Sequence, residues 1–527
     1  MEIFIPILFI TASTLVLSVG SAKLLTILQQ SGYQVGGLFS WLKQSHFSSL
    51  IRYVSLAFIS TCSILLFNFC FPQENVHYFS IIIYFALSLM FIYLMFVPRA
   101  KVPLKLTPRM IRLILVNTVV CGSASVGAYF LSQTVVQESA YSVLPALTIG
   151  FVLLSHYIVY PLEKLIAHRF IKEASAEIEK RKAGGLKVVG ITGSYGKTTA
   201  KNILGEMLSV KFKTCRGEGS FNTPLGLCRV INECLGDDDE ILIAEMGARR
   251  VGDIAELCRI ARPDIGLITA VGSQHLETFG SMENIADGKY ELIGGLAGGI
   301  AAFNGDDSGA KALFDRCTLA DKLLSGADNT CDVTYTDVKF GSFGCKFTLI
   351  HGKEKAQVGT KLLGEYVPSL ISLCAAVALK LGVSLSGCAK ACASLEPVPH
   401  RLELISNGDT YIIDDSYNAN TKGALAALKV LGGFDCRKII VTPGLVELGK
   451  DEKQANKAFG GQIAQYADTA ILIGGRSVQM KAGAAESGML ESNIVCVKSL
   501  DEAKQVFAEI IGEKVVLFEN DLTDSYC

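Results

Sequence analysis

The sequence predicts an all-α transmembrane domain at the N-terminus followed by two α/β domains. Three observations predict this organisation. Of the 527 residues, 50% are hydrophobic and the mean hydropathy is +0.38, yet nearly all of the apolar excess precedes Pro161. A glycine-rich loop follows a short apolar strand near Gly193. From there to the C-terminus, strands alternate with helical stretches, which is typical of α/β domains.

Five apolar segments are long enough to cross a bilayer, which takes about 20 residues of helix. They run Ile3–Leu24, Val54–Phe71, Tyr78–Val97, Ile111–Leu131 and Val143–Tyr160. The residues before the first segment include no basic side chain, so we expect a span there and not a cleaved signal peptide. These spans define a transmembrane domain over residues 1–165.

Basic residues are found on alternate connections between these segments. They follow the first span (Lys23, Lys43 and Arg52), the third (Arg99, Lys101, Lys105, Arg109 and Arg112) and the fifth (Lys164, Arg169 and Lys172). The connections after the second and fourth spans carry no Lys or Arg. Because cytoplasmic loops are enriched in these residues, we expect a multi-pass protein of the plasma membrane, with its N-terminus outside and its globular part in the cytoplasm.

The spans contain no carboxylate that suggests an ion pathway. Two roles stay open for them: an anchor in the lipid bilayer, or a binding surface for a lipid-linked substrate. A connecting segment over residues 166–186 turns polar, and we predict a short helix there that ends at Gly184-Gly185.

The composition excludes some classes of function. A formal net charge of -1 argues against nucleic acid, whose backbone needs a basic surface. The 16 cysteines contain no CxxC pair, so we expect reduced thiols and not a zinc ribbon.

The glycine-rich loop has the features of a phosphate-binding loop. The apolar run 186–192 predicts a buried strand, and the loop that follows, ahead of a helical stretch, reads Gly193-Ser194-Tyr195-Gly196-Lys197-Thr198-Thr199. In this context glycine N–H groups surround phosphates, the lysine reaches the β- and γ-phosphates, and the first threonine binds magnesium. We therefore predict nucleotide binding by Gly193, Ser194, Gly196, Lys197, Thr198 and Thr199.

The globular half resembles the Mur ligases from Gly190 to at least Leu448. Ile191 stands where the general phosphate loop has glycine, and this shorter loop is that of the family. The most specific match, Ile413-Asp414-Asp415-Ser416-Tyr417-Asn418-Ala419-Asn420, is almost identical to the signature of the family members that add D-alanyl-D-alanine. The resemblance implies a P-loop central Mur ligase domain over 187–395 and a Rossmann-like C-terminal Mur ligase domain over 396–527.

The resemblance also implies the roles of individual residues. Glu245 ends an apolar strand and is similar to the magnesium ligand of the family; His275, beside Glu277, is similar to a second ligand. Lys289 matches a lysine that carries a carbamate, which converts a cation into an anionic ligand. With Thr198, these three residues are the predicted metal ligands. The predicted catalytic residues are Lys197, Glu245, His275, Lys289 and Arg401.

Further matches imply contacts with the nucleotide. Asn304 and Asp306 resemble the segment that contacts its base and ribose, and Arg401 resembles an arginine that binds the γ-phosphate. Asp415 and Asn418 lie in the signature that holds the nucleotide when the domains close. The cofactors are thus ATP and magnesium, and the reaction is amide formation through an acyl phosphate, with D-alanyl-D-alanine or a similar amine, in peptidoglycan precursor synthesis.

Two departures from the family leave alternatives open. The transmembrane domain stands in place of the domain that binds the UDP-sugar, which also allows a ligase for a lipid-linked peptide or for poly-γ-glutamate. The family members that add D-alanyl-D-alanine carry a lysine-glycine-serine-arginine segment near the C-terminus; this chain has Leu517-Phe518-Glu519-Asn520-Asp521 there. A silent nucleotide-binding membrane scaffold is the alternative of another class.

Overall fold

The computed structural model describes residues 4–44, 103–131, 143–296, 298–341, 344–417, 421–446, 448 and 451–520, and the isolated residues 55, 58, 59, 62, 86, 89 and 90. The chain divides into two compact units, Met1–Ala167 together with Leu522–Cys527, and His168–Asp521. Each unit has its own hydrophobic core.

The described part of the first unit is helical. Its helices are α1 Phe4–Gly20, α2 Ala22–Gln30, α3 Val35–Gln44, α4 Pro108–Leu131 and α5 Thr148–Ala183, the last preceded by a 3₁₀ turn over Leu144–Leu147. Among the described residues, three stretches are long and apolar enough to cross a membrane: Ile10–Gln30, Pro108–Leu131 and Leu144–Ala183. They overlap the first, fourth and fifth predicted spans. The second and third predicted spans lie outside the described residues, apart from isolated positions, and the total of five stays a prediction.

The last predicted span and the connecting helix form one continuous helix. α5 runs 36 residues through Pro161 and ends at Ala183. Gly185 follows with a φ of +102°, a conformation that glycine adopts at low cost, and this turn leads into the first strand.

Polar side chains of the first unit pair with one another. The guanidinium of Arg112 donates to Glu163 at 2.6 Å, and Arg109 lies 3.8 Å from the same carboxylate. The Ser155 hydroxyl donates to the Asn117 amide oxygen at 3.3 Å. These contacts join α4 to α5, since buried polar groups are stable only when they are paired.

The first part of the second unit is built around one sheet. Within the described residues its strands are β1 Lys187–Thr192, β2 Thr214–Cys215, β3 Ile241–Glu245, β4 Ile265–Ile268, β5 Ile300–Asn304, β6 Lys322–Gly326, β7 Val333–Gly341, β8 Gly344–His351 and β9 Glu354–Thr360. The order is β2-β3-β1-β4-β5-β6-β7-β8-β9, parallel from β2 to β7 and antiparallel after that.

Helices cover both faces of this sheet. They are α6 Lys197–Ser209, α7 Pro224–Arg229, α8 Asp253–Ala261, α9 Leu276–Phe279, α10 Met282–Gly294, α11 Ser308–Arg316, α12 Val367–Lys380 and α13 Leu385–Ala393. Successive residues of a strand face opposite sides, so Val188 and Leu242 join one core while Val189 and Ile243 join the other. A parallel sheet buried on both faces requires such continuous apolar strands.

A second sheet forms the rest of the unit. Its strands are β10 Glu403–Asn407, β11 Thr410–Asp415, β12 Arg437–Thr442, β13 Thr469–Ile473, β14 Ile494–Val497 and β15 Lys514–Glu519, and its helices are α14 Thr421–Gly432, α15 Glu452–Tyr466, α16 Ser477–Glu486 and α17 Leu500–Ala508. The order is β10-β11-β15-β12-β13-β14, and all neighbours except β10 and β11 are parallel. The predicted strands near 438–442, 470–474 and 514–519 are present.

Candidate active site

The glycine-rich loop lies between β1 and α6, at the carboxyl end of the strand. Gly193 and Gly196 have φ angles of +155° and +79°. A Cβ atom on Gly193 would collide with the Thr269 hydroxyl, so glycine is required there for close approach. The Ser194 hydroxyl donates to the carbonyl of Gly272 at 3.0 Å and accepts from its N–H at 2.9 Å. The loop is thereby fixed to the segment that follows β4.

Lys197 begins α6, and its side chain folds back over the loop. Its Nζ donates to the carbonyl of Gly193 at 2.7 Å. Burial lowers the pKa of Lys197 to about 8, while Glu245 raises it and Arg401 lowers it further. A second positive charge in reach of the loop suits a site for a polyanion, because phosphate groups reward the cost of keeping two cations together.

The carboxylate of Glu245 gathers several polar groups at the end of β3. The Thr198 hydroxyl lies 3.1 and 3.0 Å from its two oxygens, and the Asn222 amide donates to one of them at 3.1 Å. The Lys201 ammonium lies 3.6 Å away. Both Glu245 and Lys201 are buried, with side chains 2% and 3% exposed. A buried carboxylate is stable here because donors surround it.

These groups have the chemistry of a magnesium site. Thr198 and Glu245 supply the hydroxyl and carboxylate oxygens that this ion prefers, and the Ser220 hydroxyl lies 3.3 Å from that of Thr198. The donor set at the phosphate loop therefore fits the implied metal.

Lys289 is buried in the middle of α10, 2% exposed, with its Nζ 5.5 Å from the centre of the Phe279 ring. Burial lowers the pKa of Lys289 to about 7, and the charge of Lys197 lowers it further. The neutral amine is the form that reacts with carbon dioxide. The surroundings of Lys289 thus favour the chemistry that a carbamate requires.

The other predicted residues of the central domain have well-defined surroundings. His275 precedes α9 in a left-handed conformation, with φ +59°. The Asn304 amide donates to the carbonyl of Thr269 at 2.9 Å and accepts from the Ser369 hydroxyl at 2.7 Å. Asp306 accepts a hydrogen bond from Tyr335 at 2.8 Å. These contacts place Asn304 and Asp306 in the polar network at the carboxyl end of β5.

Three side chains join the loop to the second sheet domain. The Tyr195 hydroxyl donates to Asp307 at 2.6 Å, and the Lys422 ammonium donates to both, at 2.9 Å to the hydroxyl and 3.1 Å to the carboxylate. Asp307 also caps α11 through the N–H of Ala310. Lys422 comes from α14, so this contact bridges the two sheets.

Arg401 follows the central domain and lies over the ring of Tyr417, 4.4 Å from its centre. It influences Lys197 on one side and Asp415 on the other, since it lowers the pKa of both. The backbone N–H of Leu402 donates to Asp415 at 3.1 Å. The predicted residue Asn418 lies outside the described residues.

Sequence reasoning missed two charged residues of this site. Lys201 lies one helical turn after Lys197, and that i, i+4 spacing was the signal that both lysines share a face of α6. Lys422 follows the Ile413–Asn420 signature, but its partners come from the first sheet, more than 100 residues earlier in the chain. No local pattern predicts such a contact.

Two family descriptions match the chain: the "Mur ligase middle domain" over residues 191–379 and the "Mur ligase, glutamate ligase domain" over residues 400–518. Together they cover both sheets.

Curated relatives carry the name UDP-N-acetylmuramoyl-tripeptide--D-alanyl-D-alanine ligase. The protein from Mycobacterium tuberculosis is 34% identical over 331 residues, which are 60% of this chain and 64% of the relative. The protein from Mycobacterium leprae is 33% identical over 349 residues, 60% of this chain and 67% of the relative. The chain thus spans less than two thirds of the length of the first of these relatives.

Solved structures share the fold. MurF from Acinetobacter baumannii superposes with a TM-score of 0.62 at 24% identity, covering 67% of this chain and 77% of that one. MurF from Thermotoga maritima, solved in complex with ADP, gives a TM-score of 0.58 at 28% identity, covering 67% of this chain and 80% of that one.

Proposed function

Because the chain belongs to the Mur ligase family, we propose that it is an ATP-dependent, ADP-forming ligase that joins a carboxylate to an amine through an acyl phosphate. The observation that carries this proposal is the buried Glu245 carboxylate held against Thr198, directly beside the phosphate loop. A binding protein has no need to bury a carboxylate beside two lysines and a phosphate loop, whereas phosphoryl transfer uses such a site.

Each residue of the site has a role in this proposal. ATP supplies the phosphoryl group, and magnesium bound by Thr198, Glu245, His275 and carbamylated Lys289 supplies positive charge next to it. Lys197 and Arg401 neutralise the charge that spreads over the phosphoryl oxygens during transfer. Gly193, Ser194, Gly196 and Thr199 shape the loop around the phosphates. Asn304, Asp306, Asp415 and Asn418 orient the nucleotide.

The proposed substrates follow the relatives. We assign D-alanyl-D-alanine, or a similar amine, and the carboxylate of UDP-N-acetylmuramoyl-tripeptide, in peptidoglycan precursor synthesis. The match to relatives of that name supports this assignment. The N-terminal helices place the enzyme in the plasma membrane as a multi-pass protein, with its N-terminus outside and its catalytic domains in the cytoplasm.

A second candidate changes the acceptor and keeps the chemistry. Three apolar stretches able to cross a membrane precede the ligase domains in the described residues. They favour a lipid-linked peptide as the carboxylate substrate, because such helices can hold a lipid next to a cytoplasmic site.

Mass spectrometry of the products tests both candidates. The detergent-purified full chain is incubated with ATP, magnesium, D-alanyl-D-alanine and either UDP-N-acetylmuramoyl-tripeptide or a membrane lipid extract. We expect a UDP-linked pentapeptide. A product found only in the lipid extract would move the assignment to the lipid-linked acceptor, and no product together with no ADP release would contradict a ligase.

A further inference from the structure

Two carboxyl groups lie side by side at the edge of the second sheet. Asp415 is the last residue of β11 and Glu519 the last of β15, and they are paired across these parallel strands. Paired residues of neighbouring strands point to the same face of a sheet. The N–H of Asn520 donates to the carbonyl of Asp415 at 3.1 Å, which fixes the two strand ends together. Asp415 is partly exposed, whereas Glu519 is completely buried.

The buried member of this pair lacks the partners that a carboxylate normally needs. Within the described part of the chain, neither oxygen of Glu519 accepts a hydrogen bond from a protein donor. Burial raises the pKa of Glu519 well above its ordinary value, and burial raises that of Asp415 to about 6. An isolated buried anion is very costly, so this pair must hold a proton or meet a cation.

The charged and titratable groups around the pair are few. Asp415 faces Arg401, Asp414 and Glu519, and the buried hydroxyl of Tyr366 lies within electrostatic range of it. Among these groups Arg401 is the cation, and it also acts on Lys197 of the phosphate loop. Arg401 is therefore within electrostatic reach of both the acid pair and the loop.

The position of the pair also favours a ligand. In open α/β sheets ligands bind at the carboxyl ends of the parallel strands, and Asp415 and Glu519 occupy that edge. A purely structural acid pair gains nothing from this location, because an apolar pair would fill the same space at lower cost.

We propose that Asp415 and Glu519 form the subsite for the incoming amine, in which Asp415 binds the ammonium group and the two carboxyl groups together take up its proton. The inference rests on the proposed ligase function and deepens it. It identifies the amine substrate as one that arrives protonated, and Asp415 and Glu519 as the groups that convert it to a nucleophile.

The reaction balances in three transfers. The acid pair, which starts with one shared proton, takes a proton from the ammonium and becomes neutral. The amine nitrogen then forms a bond to the acyl carbon as the bond from that carbon to the phosphate oxygen breaks. The nitrogen loses its second proton to the departing phosphate, which leaves as hydrogen phosphate, and the acid pair returns its extra proton to water.

A comparison of two nucleophiles tests the subsite. Hydroxylamine is unprotonated at neutral pH, so it can trap the acyl phosphate as a hydroxamate with no help from a base. In the double variant Asp415→Asn/Glu519→Gln we expect kcat with D-alanyl-D-alanine to fall about 100-fold, the usual contribution of a positioned general base, while hydroxamate formation is unchanged. The acceptor and ATP are the same in both assays.

The single variant Glu519→Gln gives a second readout that a structural role would not change. Its amide donates a hydrogen bond to Asp415 and lowers the pKa of that acid, so the acidic limb of kcat against pH should move to lower pH. The matched control is Glu403→Gln, a carboxyl on the neighbouring β10, which should leave the ratio of the two rates and the pH profile unchanged.

The outcomes separate the subsite from the ligase function. Equal losses with both nucleophiles, or no loss with D-alanyl-D-alanine, would overturn the subsite while the ligase function stands. If the wild-type chain forms neither hydroxamate nor amide with UDP-N-acetylmuramoyl-tripeptide or with lipid extract, both proposals fail. Thermal unfolding of each variant in detergent shows whether it is folded.

Discussion

Two buried glutamates end parallel strands in the two sheets, yet their surroundings are opposite. Glu245, at the end of β3, lies against Thr198, Asn222 and Lys201. Glu519, at the end of β15, lies against another acid, Asp415. The difference shows that a carboxylate at a strand end has no fixed role. Donors and cations around it prepare a site for a metal, whereas a second acid around it prepares a site for a proton or a cationic ligand.

The largest effect is expected at the phosphate loop, on the Glu245 side of this comparison. Lys197→Ala removes the cation that neutralises the transferred phosphoryl group, so turnover should fall by at least about 100-fold. ADP release in the presence of acceptor and amine measures the loss. Lys211→Ala, an exposed lysine two residues after α6, is the control and should retain activity. Wild-type turnover in Lys197→Ala would show that the loop is not the phosphate site.

The next effect concerns stability at Glu245. Glu245→Gln leaves the Lys201 ammonium buried without its counter-charge, which should lower the free energy of unfolding by about 3–5 kcal/mol. Adding Lys201→Met should recover much of that loss, because the unpaired charge is then removed as well. Chemical denaturation of the purified chain measures both values. Equal stability of the single variant and the wild type would mean that the pair contributes nothing.

The acid pair should respond in the opposite direction and depend on pH. The pKa of Asp415 is raised to about 6 by burial, whereas an unfolded aspartate titrates near 4. The folded state therefore binds the extra proton, and this stabilising contribution is fully present below about pH 4 and is lost as the pH rises through about 6. At alkaline pH the pair destabilises the fold.

Glu519→Gln should remove that cost. We expect the variant to be more stable than the wild type by about 1–2 kcal/mol at pH 8, with the difference shrinking towards pH 4. Denaturation at both pH values is the measurement. A difference of constant size would show that the two carboxyl groups do not titrate together.

The smallest effect is expected where the two sheets meet. The Lys422 side chain is 60% exposed, so Lys422→Met should lower the free energy of unfolding by no more than about 1 kcal/mol. Tyr195→Phe removes the hydrogen bond to buried Asp307 and should cost more, about 1.5–3 kcal/mol. The reverse order in denaturation experiments would mean that the exposed ammonium, and not the buried hydroxyl, holds the sheets together.

Much of the fold could be predicted because its signals are local. Glycines at 193 and 196 between an apolar strand and a helix predict the loop, and the structure has β1 and α6 on either side of it. The continuity of α5 was missed, because the change from apolar to charged residues near Pro161 indicated a break. A helix can pass from one environment to another without interruption, since its backbone bonds are internal.

The sequence by itself determined the order of the domains, the loop, the family and the residue types available for chemistry, since these depend on composition, periodicity and short motifs. Tertiary structure alone decided which charges meet: Lys201 beside Glu245, Lys422 beside Tyr195, and Asp415 beside Glu519. The physical reason is that burial and pairing set the energy of a charge, and both depend on residues that are distant in the chain. Asp415 and Glu519 are about 100 positions apart and become neighbours because β15 is inserted between β11 and β12.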